Sequence, residues 1–185
     1  IDKFKINVPE NFNFAYDVVD EIALTSPEKQ AMVWCNDEGE EKIFTFAQMK
    51  YYSDKAANFF KSIEIKKGDP VMLILKRRYE YWFCTLGLNK IGAITIPATH
   101  LLSTKDIVYR NNAADIKMIV CVADPEVIHH VEEAQPKSPT LIHKALVGTS
   151  NDGWLNLTEE IEKASDKFEK PPLDEQTRNN DTMLL

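Results

Sequence analysis

The stretch from Gly68 to Ala98, GDPVMLILKRRYEYWFCTLGLNKIGAITIPA, restricts the fold more than any other part of the chain. Val71 to Leu75 is a short, wholly apolar run behind the turn-forming Gly68-Asp69-Pro70, the pattern of a strand covered on both faces. Glu80 to Ile91 is apolar almost all round, through Trp82, Phe83, Cys84, Leu86 and Leu88, which predicts a buried helix. Gly92 ends that helix, and Ala93 to Ile96 resumes an extended run that stops at Pro97. Two apolar strands joined by a helix read as a parallel crossover unit. Gly87 stands mid-helix, where glycine costs about 1 kcal/mol against alanine, so close packing against a strand is its expected reason.

The flanking segments continue the alternation. Phe14 to Leu24 has helical spacing at Phe14, Val18, Val19 and Ile22, with Pro27 after its end. Ala31 to Cys35 and Lys42 to Thr45 read as a hairpin around Asn36-Asp37-Glu38-Gly39. Thr45 and Gln48 form a capping box that opens a long helix, with Met49, Tyr52, Ala56, Phe59 or Phe60, and Ile63 facing inward. Ser103 and Asp106 start another helix, with Ile107, Val108 and Ala114 inward, and Met118 to Val122 is a third apolar strand. Asp124 caps the next helix, with Pro125 at its first position, where a missing N–H does no harm.

Ala145 to Val147 is the fourth strand, and Thr158 opens a last amphipathic helix through Phe168. Lys170 to Asp181 is polar and proline-containing and reads as a linker; Thr182 to Leu185 then begins a new strand. The pattern predicts an α/β layered fold, a largely parallel sheet with helices on both faces. Residues 1–170 are expected to form one α/β subdomain, with 171–185 as linker and strand start.

A chain of 185 residues can bury one good core. The net charge of -7 argues against nucleic acid, which needs clustered positive charge. No apolar run approaches the roughly 20 residues that cross a bilayer. Ile1-Asp2-Lys3 carries no charged-then-apolar leader. Cys35, Cys84 and Cys121 are widely spaced in apolar contexts, which reads as buried free thiols in a reducing cytoplasm. A cytoplasmic protein is the expectation. Asn156-Leu157-Thr158 matches the glycosylation pattern, which means nothing without secretion.

The six glycines are too dispersed for a phosphate-cradling loop. His129 and His130 are adjacent on a helix, about 100° apart, and cannot share a metal. Two candidate spots remain. Lys76-Arg77-Arg78 follows the first parallel strand, at the edge where open α/β sheets place their ligand crevice, and the arginine fork suits phosphate. A solvated basic turn is the other interpretation. Thr99-His100-Leu101 follows the second strand at the equivalent edge, either lining a ligand path or satisfying loop backbone groups.

Several segments together resemble the AMP-forming acyl-CoA synthetases, the medium-chain acyl-CoA and acetyl-CoA synthetase branch most closely. Phe44-Thr45-Phe46-Ala47-Gln48-Met49 is similar to the first core motif, L-T-Y-x-E-L. Leu88 to Ala98 is similar to the second, L-K-A-G-A-x-x-x-P, and Lys67-Gly68-Asp69-Pro70-Val71 to a K-G-D-x-V run. Thr104 to Arg110, TKDIVYR, resembles the S/T-x-D-I-x-Y-R run of the medium-chain branch.

The resemblance implies a two-step reaction in the full-length enzyme. ATP and a small carboxylic acid give an acyl-adenylate and pyrophosphate, and the CoA thiol then displaces AMP. It implies ATP, CoA and magnesium as cofactors, none binding tightly to these 185 residues alone. The family's phosphate loop, Y-T-S-G-T-T-G-x-P-K, its acidic metal residue and its C-terminal lysine are absent from this sequence. The chain is therefore expected to be a fragment, inactive alone and without catalytic or metal residues. Thr182 to Leu185 resembles the strand that leads into the missing loop. By the same resemblance, Thr99, His100 and Leu101 map to the CoA side; Arg77 and Arg78 are candidate phosphate contacts from their place at the strand end. Uncovered apolar surface would favour a homo-oligomer. The rival is a stand-alone, non-enzymatic α/β module that binds a nucleotide or a protein.

Overall fold

The computed structural model describes residues 7–185, so the Ile1-Asp2-Lys3 start lies outside the described residues. A π-helical stretch, Ala15–Asp20, runs directly into α1 (Glu21–Thr25). An antiparallel hairpin follows, formed by β1 (Gln30–Cys35) and β2 (Glu41–Thr45). The rest alternates: α2 (Phe46–Ser62), β3 (Pro70–Ile74), α3 (Glu80–Ile91), β4 (Ile94–Pro97), α4 (Thr104–Ala113) and β5 (Met118–Cys121) come first. After these come α5 (Pro125–Ala134), β6 (His143–Leu146), β7 (Leu155–Asn156) and α6 (Leu157–Lys163). The second sheet is parallel, in the order β4-β3-β5-β6-β7.

Successive strand residues point to opposite faces, and β3 sorts its side chains accordingly. Val71 and Leu73 face a core that holds Phe59 and Phe60 of α2, Cys84 and Leu88 of α3, and Ile161 of α6. Met72 and Ile74 face the opposite core, with Ile107 of α4 and Val127 and Val131 of α5. The result is three layers, helices on both faces of a parallel sheet. The chain steps from β3 outward to β4, then back across β3 to β5. Right-handed crossovers in opposite directions put α3 and α4 on opposite faces.

Local chemistry sets the helix ends. Capping boxes at Thr45/Gln48 and Ser103/Asp106 open α2 and α4, and Asp124 accepts from Glu126 N–H at 3.0 Å to open α5. Gly92 closes α3 at φ +74°, a conformation glycine adopts without Cβ strain.

Several expectations need correction. Gly87 permits a close helix–helix contact rather than a helix–strand one: a Cβ there would lie 2.8 Å from both Ala56 Cβ and Ala57 N of α2. Trp82 is 48% exposed, so α3 is not buried all round. Phe14 is exposed too, because the wider π turn aligns Ala15, Val19 and Ala23 inward instead. Cys35 is exposed at the end of the hairpin strand, whereas Cys84 and Cys121 are buried. Burial pushes the Cys121 thiol up to about 12 and Cys84 higher still.

The last helix is shorter than its pattern. It stops at Lys163 because α2 takes the carbonyls that would have continued it. Lys55 Nζ donates to the Glu162 and Ala164 carbonyls at 2.8 and 2.9 Å, and Asn58 Nδ2 to Ser165 and Lys167.

One ionic seam lies inside this frame. Lys90 of α3, its side chain wholly buried, donates to Asp54 of α2 at 2.5 Å and to Asp20 at 2.8 Å. Lys50 pairs with the same Asp54. The Tyr16 hydroxyl donates to the Lys90 carbonyl at 2.8 Å. Burial of Tyr16 beside Asp20 and Asp54 pushes its hydroxyl far above the ordinary phenol range.

Candidate functional site

Strand order places the two candidate loops side by side. β4 and β5 both flank β3, so the loops after all three strands meet at one carboxyl edge. The winding direction reverses beside β3, the point where open α/β sheets leave a crevice. A cavity of about 370 Å³ opens on the other flank of β3, between Leu75, Lys76 and Tyr81 on one side and Pro97, Ala98 and Thr99 at the end of β4 on the other.

The three basic residues after β3 have three different fates. Lys76, at φ +50°, turns its ammonium to Asp124 across the reversal point, at 2.8 Å. That contact ties the β3 loop to the cap of α5. The Lys76 hydrogen bond and the Glu126 N–H hold the Asp124 carboxyl below the usual carboxylate range. Arg78 grips Glu80 with its fork, at 2.7 and 3.0 Å, and the bidentate hydrogen bond raises its already high pKa. Arg77 is exposed, and among the described residues its side chain has no charged partner. Its carbonyl accepts from Trp34 Nε1 at 2.6 Å, fastening the loop to the hairpin.

At the neighbouring strand end, Thr99, His100 and Leu101 are all exposed, Leu101 at 78%. Thr99 Oγ1 accepts from the Leu101 N–H at 3.3 Å. Arg77 and Thr99 thus share one edge, whereas Arg78 is occupied by Glu80. Sequence reasoning missed Tyr81 and Asp124 as members of this edge. No local signal reveals Asp124, because its place depends on β5 lying beside β3.

A larger apolar groove, about 710 Å³, lies between the hairpin and α3. Met32, Trp34, Met49, Trp82 and Leu86 wall it, and the Arg77–Arg78 turn forms one rim. Trp82 was read as core, which hid this surface.

Among the described residues, no cluster of three or more His, Cys, Asp or Glu could hold a metal ion. Asp124 is already engaged by Lys76 and its own helix, so magnesium does not fit the side chains of this edge. His129 Nε2 lies 3.6 Å from Glu133, and His130 Nδ1 lies 3.0 Å from the Leu102 carbonyl. The two rings serve separate contacts. Among the described residues no helix is long and apolar enough to cross a membrane.

A doubly wound parallel sheet whose order reverses beside a cation-rimmed crevice defines an α/β ligand-binding scaffold. The profile of the AMP-binding enzymes matches residues 19–185, and the chain belongs to that family. It is 36% identical over 167 residues to the mouse mitochondrial acyl-coenzyme A synthetase ACSM4, covering 86% of this chain and 28% of that protein. Against rat mitochondrial ACSM5 the identity is 34% over 185 residues, covering 96% of this chain and 31% of the relative. The chain thus spans less than a third of the length of these relatives. The anthranilate CoA ligase AuaEII, solved with anthranoyl-AMP, superposes with a TM-score of 0.82 at 20% identity, over 96% of this chain and 32% of that one. That likeness concerns the fold.

Proposed function

We propose that this chain is the first α/β subdomain of an AMP-forming acyl-CoA synthetase, which joins a carboxylate to CoA through an acyl-adenylate at the expense of ATP. The observation that carries the proposal is the family match along residues 19–185. Topology adds a second support. Thr95 N–H donates to the Met183 carbonyl and Leu185 N–H to the Thr95 carbonyl, both at 3.1 Å, a parallel bridge between β4 and residue 184. A chain continuing past Leu185 therefore runs toward the carboxyl edge, where Lys76, Arg77 and Thr99 lie. A phosphate-binding loop following that strand would arrive at the crevice.

In this proposal the subdomain's own side chains do no bond-making. Arg77 supplies a standing positive charge near the nucleotide's phosphates, where fixed charge favours developing negative charge. Lys76, held by Asp124, forms one wall of the crevice, and Thr99 to Leu101 form the rim on the CoA side. CoA and magnesium enter as cofactors of the whole enzyme. The mitochondrial names of the relatives favour a mitochondrial location over the cytoplasmic one expected from the sequence. Reduced thiols at Cys84 and Cys121 suit either.

The test is carboxylate-dependent ATP–pyrophosphate exchange. The full-length gene product is expected to catalyse it and then to form acyl-CoA, and the 185-residue chain alone to catalyse neither. A full-length product without exchange, or a lone chain that turns over, would refute the proposal.

A further inference from the structure

Residues 171–181 take no regular secondary structure, yet side chains from distant parts of the chain hold them on both flanks. On one flank stands Lys67, of the Lys67-Gly68-Asp69 run that precedes β3. Its ammonium donates to the Gln176 carbonyl at 2.9 Å and pairs with Asp181 at 2.9 Å. Gly68 N–H donates to the Gly92 carbonyl at 2.9 Å, so the turn before β3 is fixed to the turn before β4. A Cβ on Gly92 would stand 3.0 Å from Lys67 Cγ and 3.1 Å from Thr177 Cγ2. Glycine at 92 thus ends α3 and also makes room for the clamp.

The amino-terminal segment supplies the other flank. Asn13 Nδ2 donates to Thr177 Oγ1 at 3.1 Å and to the Asn89 carbonyl at 2.8 Å. Asn11 Nδ2 donates to the Thr177 carbonyl at 3.2 Å, and Asn179 N–H to the Glu10 carbonyl at 2.9 Å. Asn13 and Thr177 are each only 5% exposed. Asn13 also accepts from Ala15 N–H through Oδ1, so its amide has no spare donor and its orientation is determined.

Immediately after this clamp, Met183 to Leu185 make their two hydrogen bonds to Thr95. Leu184 and Leu185 are 60% and 63% exposed, so burial contributes little to holding them there. Two hydrogen bonds at a sheet edge do not outweigh the entropy of ordering the residues that make them. The clamp supplies what the bridge lacks.

We infer that Lys67, with Asn13 and Thr177, is a positioning device that sets the register and heading of the Met183–Leu185 strand and, through it, the nucleotide-binding loop beyond. This rests on the proposed synthetase function. None of the three residues touches substrate; each acts by aiming the strand.

The experiment uses the full-length protein, with Lys67→Met as the main variant because Lys67 is partly exposed and its loss spares the core. Lys67→Met is expected to raise the KM for ATP about tenfold while the carboxylate KM stays within about twofold. Amide hydrogen exchange at Leu185 and Thr95 is expected to accelerate about tenfold. Lys67→Arg, which keeps the charge and a donor, is expected to restore both. Unchanged exchange, or an unchanged KM for ATP despite faster exchange, overturns the inference. An unaltered enzyme without ATP–pyrophosphate exchange ends the functional proposal instead, while exchange at Leu185 still scores the clamp.

Discussion

Two clusters of charge in this molecule use the same residue types to opposite ends. The seam around Lys90 lies between the amino-terminal helix, α2 and α3, with the Lys90 side chain wholly buried and Asp54 nearly so. The cluster after β3 lies at the open edge of the sheet, where Lys76 and Asp124 remain partly exposed. Inside the protein a charge is tolerable only when fully matched, and the matching fixes three helices in one arrangement. At the edge, water shares the work of solvation, so Arg77 can stay without a charged partner among the described residues. Charge in the first cluster specifies the fold; in the second, Lys76 and Arg78 are tied to carboxylates and Arg77 faces solvent.

The largest expected effect tests the buried side of that contrast. Lys90→Met leaves Asp54 and Asp20 facing each other without their shared cation, and should cost about 3–5 kcal/mol in urea unfolding. A loss below about 1 kcal/mol would mean the seam is ornamental. The next test uses pH, where the two clusters should respond with opposite sign. Burial holds the Asp20 carboxyl above its ordinary 3.8 despite Lys90. Its contribution to stability is therefore present below that value and lost as pH rises through the raised one. Asp124 is held below 3.8, first by Lys76, so its contribution is present above that value and lost as pH falls through the lowered one.

Unfolding free energies measured from about pH 2 to 7 should show this directly. The unaltered chain should lose ground to Asp20→Asn as pH rises, and to Asp124→Asn as pH falls. Two curves of the same sign would collapse the distinction. The smallest effect belongs to Arg77→Ala, expected within about 0.5 kcal/mol of the unaltered stability by the same urea titration. A larger loss would make Arg77 part of the scaffold rather than the rim.

Local elements were legible in the sequence wherever a local rule governed them. The Gly68 to Ala98 unit emerged as β3, α3 and β4 because turn chemistry, apolar runs and a terminating glycine all lie within it. The Thr45/Gln48 capping box formed as its spacing predicts, and Ser103 and Asp106 open α4 as expected. What stayed hidden was pairing at a distance. An apolar run says that a strand is buried but not which strands flank it, so the neighbourhood of β3 and β5, and with it the Lys76–Asp124 contact, was out of reach.

Other misses have the same origin. Residues 170–181 look like a linker because they are polar, yet their carbonyls are what Lys67 and Asn11 bind, and the Thr177 hydroxyl is what Asn13 binds. The last helix was overextended because Lys55 and Asn58, over a hundred residues away, take its carbonyls. At the candidate site, Lys76-Arg77-Arg78 was readable as a basic group, but its division into a tie, an unpaired charge and a fork gripping Glu80 was not.

The two margins of the parallel sheet are unequal, and the inequality gives the architecture a direction of growth. On the far side, β7 is only two residues long, and its second residue, Asn156, caps α6, so the backbone turns away before another ribbon can dock. On the near side, β4 still offers ladder positions around Thr95 and takes Leu184 in the parallel sense. The open margin of the sheet is therefore the one beside the crevice, and the opposite margin is blunted.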